Sequence, residues 1–118
     1  MIGILLINLG TPDAPTTPAV RRYLRQFLSD PFVVDIHPVA RWMLVNFVIA
    51  PFRSPKSAEQ YQKVWMPEGS PLLVHTKNLA QKVSEKLGKG YAISIGMRYG
   101  NPSIESGVKK LIMVTNRP

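Results

Sequence analysis

The hydrophobic residues of this chain concentrate in two nearly continuous runs, one near each end. The first run, residues 2–9 (IGILLINL), is followed at once by a Gly-Thr-Pro turn, and the second, residues 91–99 (YAISIGMRY), by a Gly-Asn-Pro turn. Apolar runs bounded by Gly and Pro predict strands that are buried on both faces and lead into helices. Two such strands predict an α/β fold built on an open parallel sheet.

The ends of the two predicted strands mark a candidate site, because open parallel sheets bind ligands outside the carboxyl ends of their strands. Leu9 and Gly10 stand at the end of the first run, and Arg98 and Tyr99 at the end of the second. Roughly 80 residues separate the runs, far more than a minimal crossover connection needs. A long excursion of this kind is where a fold commonly carries its specific function.

The excursion begins with a predicted amphipathic helix. Apolar side chains recur at helical spacing through residues 20–28, with arginines on the other face. Thr16 or Thr17 is placed to cap this helix, and a Ser-Asp-Pro sequence ends it. Residues 32–36 (FVVDI) are β-prone but short, and they predict an extended loop rather than a strand of the sheet.

Proline and glycine positions divide the remaining chain into four further helices. Residues 39–50 predict a helix ended by Pro51, and the Ser54-Pro55 pair predicts the start of another. Residues 72–87 predict a long helix closed by glycines. After the second run a last helix follows, and residues 112–114 are apolar enough to begin a third strand.

The charge balance changes the picture little. The chain has 15 basic and 7 acidic residues, a net charge of +8, which favours anionic partners. The basic residues are dispersed, however, and a dispersed surplus indicates a solvated surface rather than a nucleic-acid interface. With no cysteine the chain has no disulfide and no thiolate metal site, which fits a cytoplasmic location.

The sequence holds no motif of a nucleotide-binding or metal-binding protein. The turn after the first run has one glycine and a proline, so it matches neither a Rossmann fingerprint nor a P-loop. His37 and His75 stand far apart with no shared spacing, and the carboxylates are scattered. We therefore predict no metal site, no resident cofactor and no nucleic-acid partner.

Residues 39–52 (VARWMLVNFVIAPF), from Val39 to Phe52, form the one segment that suggests a membrane. The segment is too short to span a bilayer, which takes about 20 residues. Arg41 and Asn46 interrupt it, while its aromatic residues give it bulk. Three interpretations stay open: it lines a pocket, it dips into a membrane interface, or it belongs to the core.

Taken together, several segments resemble the ferrochelatase family, whose members insert ferrous iron into a porphyrin to make heme. The resemblance covers nearly the whole chain up to about Leu111. It rests on five segments in the order of the family: LLINLGTP at 5–12, RRYL with FLSD at 21–30, RSPK with EQY at 53–61, GSPL at 69–72 and GMRYGNP at 96–102.

The resemblance implies roles for particular residues. Leu9 matches a position against the porphyrin face, and Arg53 matches a basic residue near the porphyrin propionates. Tyr61 and Ser70 match residues that bind or position the macrocycle. A core position in its helix stays open for Tyr61, and for Ser70 the role of helix cap is at least as strong as contact with a ligand. The last two matches are Arg98 and Tyr99, a pair deep in the cleft, and a structural ion pair stays open for Arg98. Residues 39–52 match the hydrophobic lip of the active-site mouth, which in membrane-associated members also contacts the bilayer.

The resemblance also implies that parts of the family's fold and active site have no counterpart in residues 1–118. Residues 1–118 correspond to the amino-terminal part of the first of two similar α/β domains, so we predict an incomplete sheet of two to three strands with about five helices and no second domain. The catalytic His and its partner Glu match family segments beyond Pro118. The chain alone is therefore expected to be marginally stable and unable to insert iron.

Two other functions remain alternatives to a ferrochelatase that uses Fe(II) and porphyrin as substrates. One is a porphyrin- or heme-binding fragment without catalysis. The other is a membrane-surface or protein-interaction fragment that uses residues 39–52. For each of them we expect a cytoplasmic protein that is at most peripheral at the membrane.

Overall fold

The computed structural model describes residues 1–115, and it divides them into two compact units. One unit joins residues 1–11 to the chain from Pro71 onward, and the other comprises Pro12–Ser70. The order of elements is β1 (Ile2–Thr11), α1 (Thr17–Leu28), α2 (Pro38–Met43), a π-helical segment (Leu44–Ile49), α3 (Ala50–Val64), α4 (Pro71–Leu87), β2 (Tyr91–Gly100) and α5 (Ile104–Thr115).

In the first unit β1 and β2 pair in parallel, and within residues 1–115 they form the whole sheet. Their register pairs Ile2 with Tyr91 and Gly10 with Tyr99, so the two carboxyl ends meet at one edge. This confirms the α/β fold and the two strands predicted from the apolar runs. Each strand also extends one or two residues into the turn that was expected to end it.

Helices α4 and α5 cover opposite faces of this sheet. On one face the side chain of Asn8 meets Thr76 of α4. On the other face a methyl group placed on Gly3 would meet Leu111 of α5, and one placed on Gly96 would lie 2.8 Å from the Cα of Ile104. The absence of a side chain at these glycines therefore lets α5 lie directly on the strands.

The second unit is helical. Thr16 caps α1, as predicted, with its hydroxyl accepting from the Ala19 N–H at 3.4 Å. Residues 32–36 form no strand, also as predicted, but they are turned rather than extended: the Val33 and Val34 N–H groups donate to the Asp30 carbonyl. The buried core of this unit includes Val20 and Val45.

The prediction that Pro51 ends one helix and Ser54-Pro55 opens another was wrong. Helical structure continues from Pro38 to Val64, with Pro51 in the first turn of α3 and Pro55 inside it. The π-helical segment just before Pro51 has wider turns, which accommodate a residue without an N–H. The buried Ser54 hydroxyl donates back to the Ala50 carbonyl instead of capping a new helix.

The third strand suggested at residues 112–114 is also wrong. These residues belong to α5, which runs unbroken to Thr115. Leu111 and Thr115 face Gly3 of β1, and the Thr115 hydroxyl donates to the Leu111 carbonyl at 2.7 Å. Packing of α5 on the sheet therefore makes residues 112–114 helical, despite the β propensity of Ile and Val. Residues 116–118 lie outside the described part of the chain.

Candidate functional site

The carboxyl ends of β1 and β2 form a rim in the first unit that contains three of the predicted site residues. The side chain of Leu9 is 50% exposed, whereas Tyr99 on the neighbouring strand is only 4% exposed. Gly10 is paired with Tyr99 and has a φ of 135°. A Cβ at Gly10 would lie 2.0 Å from the Tyr99 carbonyl oxygen, so glycine is required where the strands approach each other.

Arg98 and Tyr99 are joined through their side chains, although successive residues of a strand point to opposite faces. The Arg98 Nε–H donates to the Tyr99 hydroxyl at 3.0 Å. The Arg98 guanidinium carbon also lies 5.6 Å from the centroid of the Tyr99 ring, within range of a cation–π interaction. The pair thus sets a buried phenol against an exposed guanidinium at the strand end.

Asn8 is a site residue that the sequence analysis missed. Its amide Nδ2 donates to the Thr76 hydroxyl at 3.3 Å, and its Oδ1 accepts from the Leu9 N–H at 2.8 Å. Asn8 therefore fixes the backbone that presents Leu9 and ties β1 to α4. The signal was a single amide residue inside an otherwise apolar strand.

In the second unit Arg53 lines an apolar cavity of about 340 Å³. The other lining side chains come from α1 and from the π-helical segment: Leu24, Phe27, Leu28 and Ile49. A guanidinium in an otherwise hydrophobic wall suits a ligand with an apolar body and a carboxylate. The sequence predicted Arg53 but not its neighbours, because the continuous helix that brings them together was not foreseen.

Tyr61 lies one turn before Trp65, and their ring centroids are 6.2 Å apart with the planes at 80°. Burial raises the pKa of the Tyr61 phenol above its ordinary value. Tyr61 therefore keeps its proton throughout the physiological range and can act as a hydrogen-bond donor. Edge-to-face packing on Trp65 holds the ring in place.

Ser70 is buried and directly precedes Pro71, the first residue of α4. This is the position from which a serine commonly caps a helix, so the placement suits the capping role as well as it suits contact with a ligand. Together the six predicted residues fall into two groups. Leu9, Arg98 and Tyr99 share the strand ends of the first unit, whereas Arg53, Tyr61 and Ser70 belong to the second unit.

Residues 39–52 expose most of their hydrophobic side chains rather than forming core. Phe52 is 74% exposed, and the buried exceptions in the segment are Val45 and Ala50. Trp42 and Phe47 pack edge to face at 5.3 Å while both remain exposed. The exposed members of the segment are Val39, Trp42, Met43, Leu44, Phe47, Val48 and Phe52. We call this set the lip surface.

Residues 1–115 contain neither a metal-binding cluster nor a membrane-spanning helix. No group of three or more His, Asp or Glu side chains in this range stands close enough together to hold a metal ion. None of the helices in the described chain has the length and apolar character needed to cross a membrane.

Comparison with known proteins gives a single family. Residues 1–115 match the model of the Ferrochelatase family. The Ferrochelatase of Coxiella burnetii (strain RSA 493 / Nine Mile phase I) is 61% identical over 110 residues, which is 93% of this chain and 31% of the relative. The Ferrochelatase of Legionella pneumophila (strain Paris) is 50% identical over 92% of this chain and 33% of the relative.

A third relative, the Ferrochelatase of a Marinomonas species (strain MWYL1), is 49% identical over 98% of the chain and 39% of its own length. The chain thus spans about a third of the length of the curated relatives it matches.

Proposed function

We propose, from the fact that this chain belongs to the ferrochelatase family, that it supplies part of the porphyrin-binding cleft of an enzyme that inserts Fe(II) into a porphyrin in heme biosynthesis. The reaction is that of a lyase, and both the metal ion and the porphyrin are its substrates. The chain contributes binding surface and positioning groups, and by itself it does not catalyse the insertion of iron.

The observation that carries this proposal is the arrangement at the strand ends of the first unit. An exposed Leu9 offers apolar surface to a flat macrocycle, and the Arg98–Tyr99 pair lies on the adjacent strand. Ligands of open α/β sheets bind at this edge, beyond the carboxyl ends of the strands. In this proposal Arg98 positions the Tyr99 phenol, and Leu9 packs on the porphyrin face.

The second unit supports the same function with different chemistry. Arg53 pairs with a propionate carboxylate while the apolar wall of its cavity contacts the ring. Tyr61, kept protonated by burial, donates a hydrogen bond to the macrocycle or its substituents. Ser70, buried directly before the first residue of α4, either caps that helix or contacts the bound ligand.

Porphyrin binding to the isolated chain tests these assignments. We expect a free-base porphyrin with two propionates to show an absorbance shift on titration with the chain. Arg53→Ala is expected to weaken binding about tenfold, because a charge-assisted hydrogen bond to a carboxylate is lost. Tyr61→Ala is expected to weaken it less.

Lys63→Ala is the matched control for Arg53→Ala, since Lys63 is an exposed basic residue of the same helix. An equal loss of affinity in Lys63→Ala and Arg53→Ala would contradict the assignment of Arg53, because it would indicate attraction by net charge alone. A porphyrin that binds equally well to all variants would contradict the site as a whole.

A membrane role for the lip surface is a second proposal, favoured by the exposure of its aromatic side chains. Trp and Phe side chains partition into the membrane interface, where an amphipathic helix lies flat. We propose that the lip surface attaches the protein peripherally to the cytoplasmic face of a membrane.

Sedimentation with liposomes tests the membrane role. Trp42→Asp is expected to reduce the bound fraction several-fold, because a charge in the interfacial helix opposes partition. Val64→Asp is the control, since Val64 is exposed to a similar extent but lies outside the lip surface. Co-sedimentation that persists in Trp42→Asp would exclude the lip surface as the membrane contact.

A further inference from the structure

The outer edge of β2, the side that does not pair with β1, carries a feature unrelated to porphyrin. In a strand the N–H and C=O of one residue point to the same side, and successive residues alternate. The Met97 N–H donates to the Pro102 carbonyl at 2.7 Å, so Met97 points away from β1. By alternation the N–H and C=O groups of Ile95 and Ile93 point outward as well.

Within the described part of the chain this edge is open over residues 91–95. The chain itself covers the other end of the strand, where Met97 pairs with Pro102 and Ser103. Toward the amino-terminal end of the strand, Ile93 and Ile95 line a cavity of about 210 Å³. An open edge with unpaired backbone groups is a template for another strand.

The positions of α4 and α5 show on which side of the sheet a strand following α5 would pair. The two helices lie on opposite faces of the sheet, with α4 between β1 and β2 and α5 following β2. Crossover connections between parallel strands are right-handed. A strand that followed α5 would therefore pair with the free edge of β1 and not with β2.

Two lysines flank the open edge, one from each face. Lys77 of α4 and Lys110 of α5 line the same cavity as Ile93 and Ile95. Acidic residues are scarce in this unit, where Glu85 and Glu105 stand among many lysines, and the side chain of Glu105 pairs with Lys109 instead. The edge therefore combines backbone donors and acceptors with positive charge above and below.

Beside the edge, on the α5 face, opens an apolar cavity of about 280 Å³. Its wall includes Ala92 and Ser94 of β2 and Leu111 and Met113 of α5. A strand added to the edge of β2 would direct every second side chain toward this face, where an aliphatic side chain can enter.

We propose that the outer edge of β2 at residues 91–95 takes up an extended acidic segment of a partner protein as an added strand, with Lys77 and Lys110 pairing with its carboxylates. Charge disfavours the simplest alternative, a second copy of this chain. Edge-to-edge pairing of two copies would bring the lysines of both together, and like charges across a strand pair are destabilising. An acidic segment reverses the sign of that interaction.

The probe is a fluorescein-labelled eight-residue peptide of threonine and valine with two adjacent central glutamates. Neighbouring side chains of a strand point to opposite faces, so one glutamate meets Lys77 and the other meets Lys110. We expect saturable binding by fluorescence anisotropy. The binding should fall about tenfold or more in Lys77→Glu/Lys110→Glu, because both carboxylate contacts become repulsive.

Two controls separate this site from general attraction. Lys82→Glu/Lys86→Glu makes the same change in net charge on α4 away from the cavity, and it should bind nearly as well as the unaltered chain. Amide hydrogen exchange gives a second readout. Exchange at Ile93 and Ile95 should slow when the peptide is added, whereas exchange at Met97, whose N–H is already bonded, should stay unchanged.

Three results would overturn the proposal. The first is equal binding of a peptide in which glutamine replaces both glutamates. The second is an equal loss in the two double variants, which would indicate net charge alone. The third is binding that leaves exchange at Ile93 and Ile95 unchanged, which would place the peptide elsewhere.

Discussion

Replacing Gly10 with alanine is expected to lower the free energy of unfolding by about 3 kcal/mol or more. The new Cβ would lie 2.0 Å from the carbonyl oxygen of Tyr99 and 2.9 Å from its carbonyl carbon. Both contacts are with the backbone of the paired strand, which cannot rotate away as a side chain would. Gly10 also has a φ of 135°, which an alanine rarely adopts. The loss should appear in urea unfolding followed by circular dichroism.

Two other glycines provide graded controls for this substitution. At Gly90 a methyl group would have no atom within 4 Å, and the residue has no positive φ, so Gly90→Ala should leave stability nearly unchanged. Gly88 has open space but a φ of 79°, so Gly88→Ala reports the backbone cost alone, about 1 kcal/mol. A Gly10→Ala variant as stable as Gly90→Ala would contradict the close approach of the strands at the rim.

Arg98→Ala is expected to reduce iron insertion about a hundredfold in a complete enzyme, because a small misplacement of a positioned group can cost this much. The substitution removes the hydrogen bond to the Tyr99 hydroxyl and the guanidinium above its ring. A suitable enzyme is a hybrid in which this chain replaces the matching 110-residue segment of the Coxiella burnetii Ferrochelatase. The rate of Fe(II) insertion into a porphyrin is the measurement.

Arg98→Lys distinguishes positioning from simple charge in the same hybrid. Lysine keeps the positive charge but lacks the planar fork of donors that reaches the phenol, so it should not restore the rate. If positioning is the role of Arg98, kcat falls while KM changes little. Full activity of Arg98→Lys would contradict this positioning role. An insertion rate for Arg98→Ala within twofold of that of the parent hybrid would also contradict it.

The strands and the turns after them could be predicted from the sequence because their signals are local. The apolar runs lie within β1 and β2, and the glycine needed at the first strand end is Gly10, with a positive φ. A cap at Thr16 or Thr17 was likewise predicted, and the structure uses Thr16; the closing glycine at Gly88 was predicted as well, since each signal depends on a few adjacent residues.

The continuous helix around Pro51 and the helical structure of residues 112–114 could not be predicted, because both depend on packing. Two prolines in one helical stretch indicate two helices unless wider turns precede them. The apolar residues at 112–114 fit a strand as well as a helix until α5 is seen lying on Gly3. Local propensity is a weak guide where tertiary contacts decide.

The candidate site was predicted in part. The sequence placed Leu9, Arg98 and Tyr99 together because parallel strands share a carboxyl edge, and the parallel register, which pairs Gly10 with Tyr99, brings the ends of the two strands to one edge. It did not predict the Arg98–Tyr99 hydrogen bond, since adjacent strand residues ordinarily point apart. It also missed Asn8, whose partner Thr76 is distant in sequence and becomes visible only when α4 covers the sheet.

The hybrid enzyme without further substitution tests the central claim most directly. If this chain supplies a working part of the porphyrin cleft, the hybrid should bind porphyrin and insert Fe(II) at a rate within about tenfold of the Coxiella burnetii Ferrochelatase, since the segments are 61% identical. A hybrid that folds with the stability of its parent but neither binds porphyrin nor inserts iron would contradict the account.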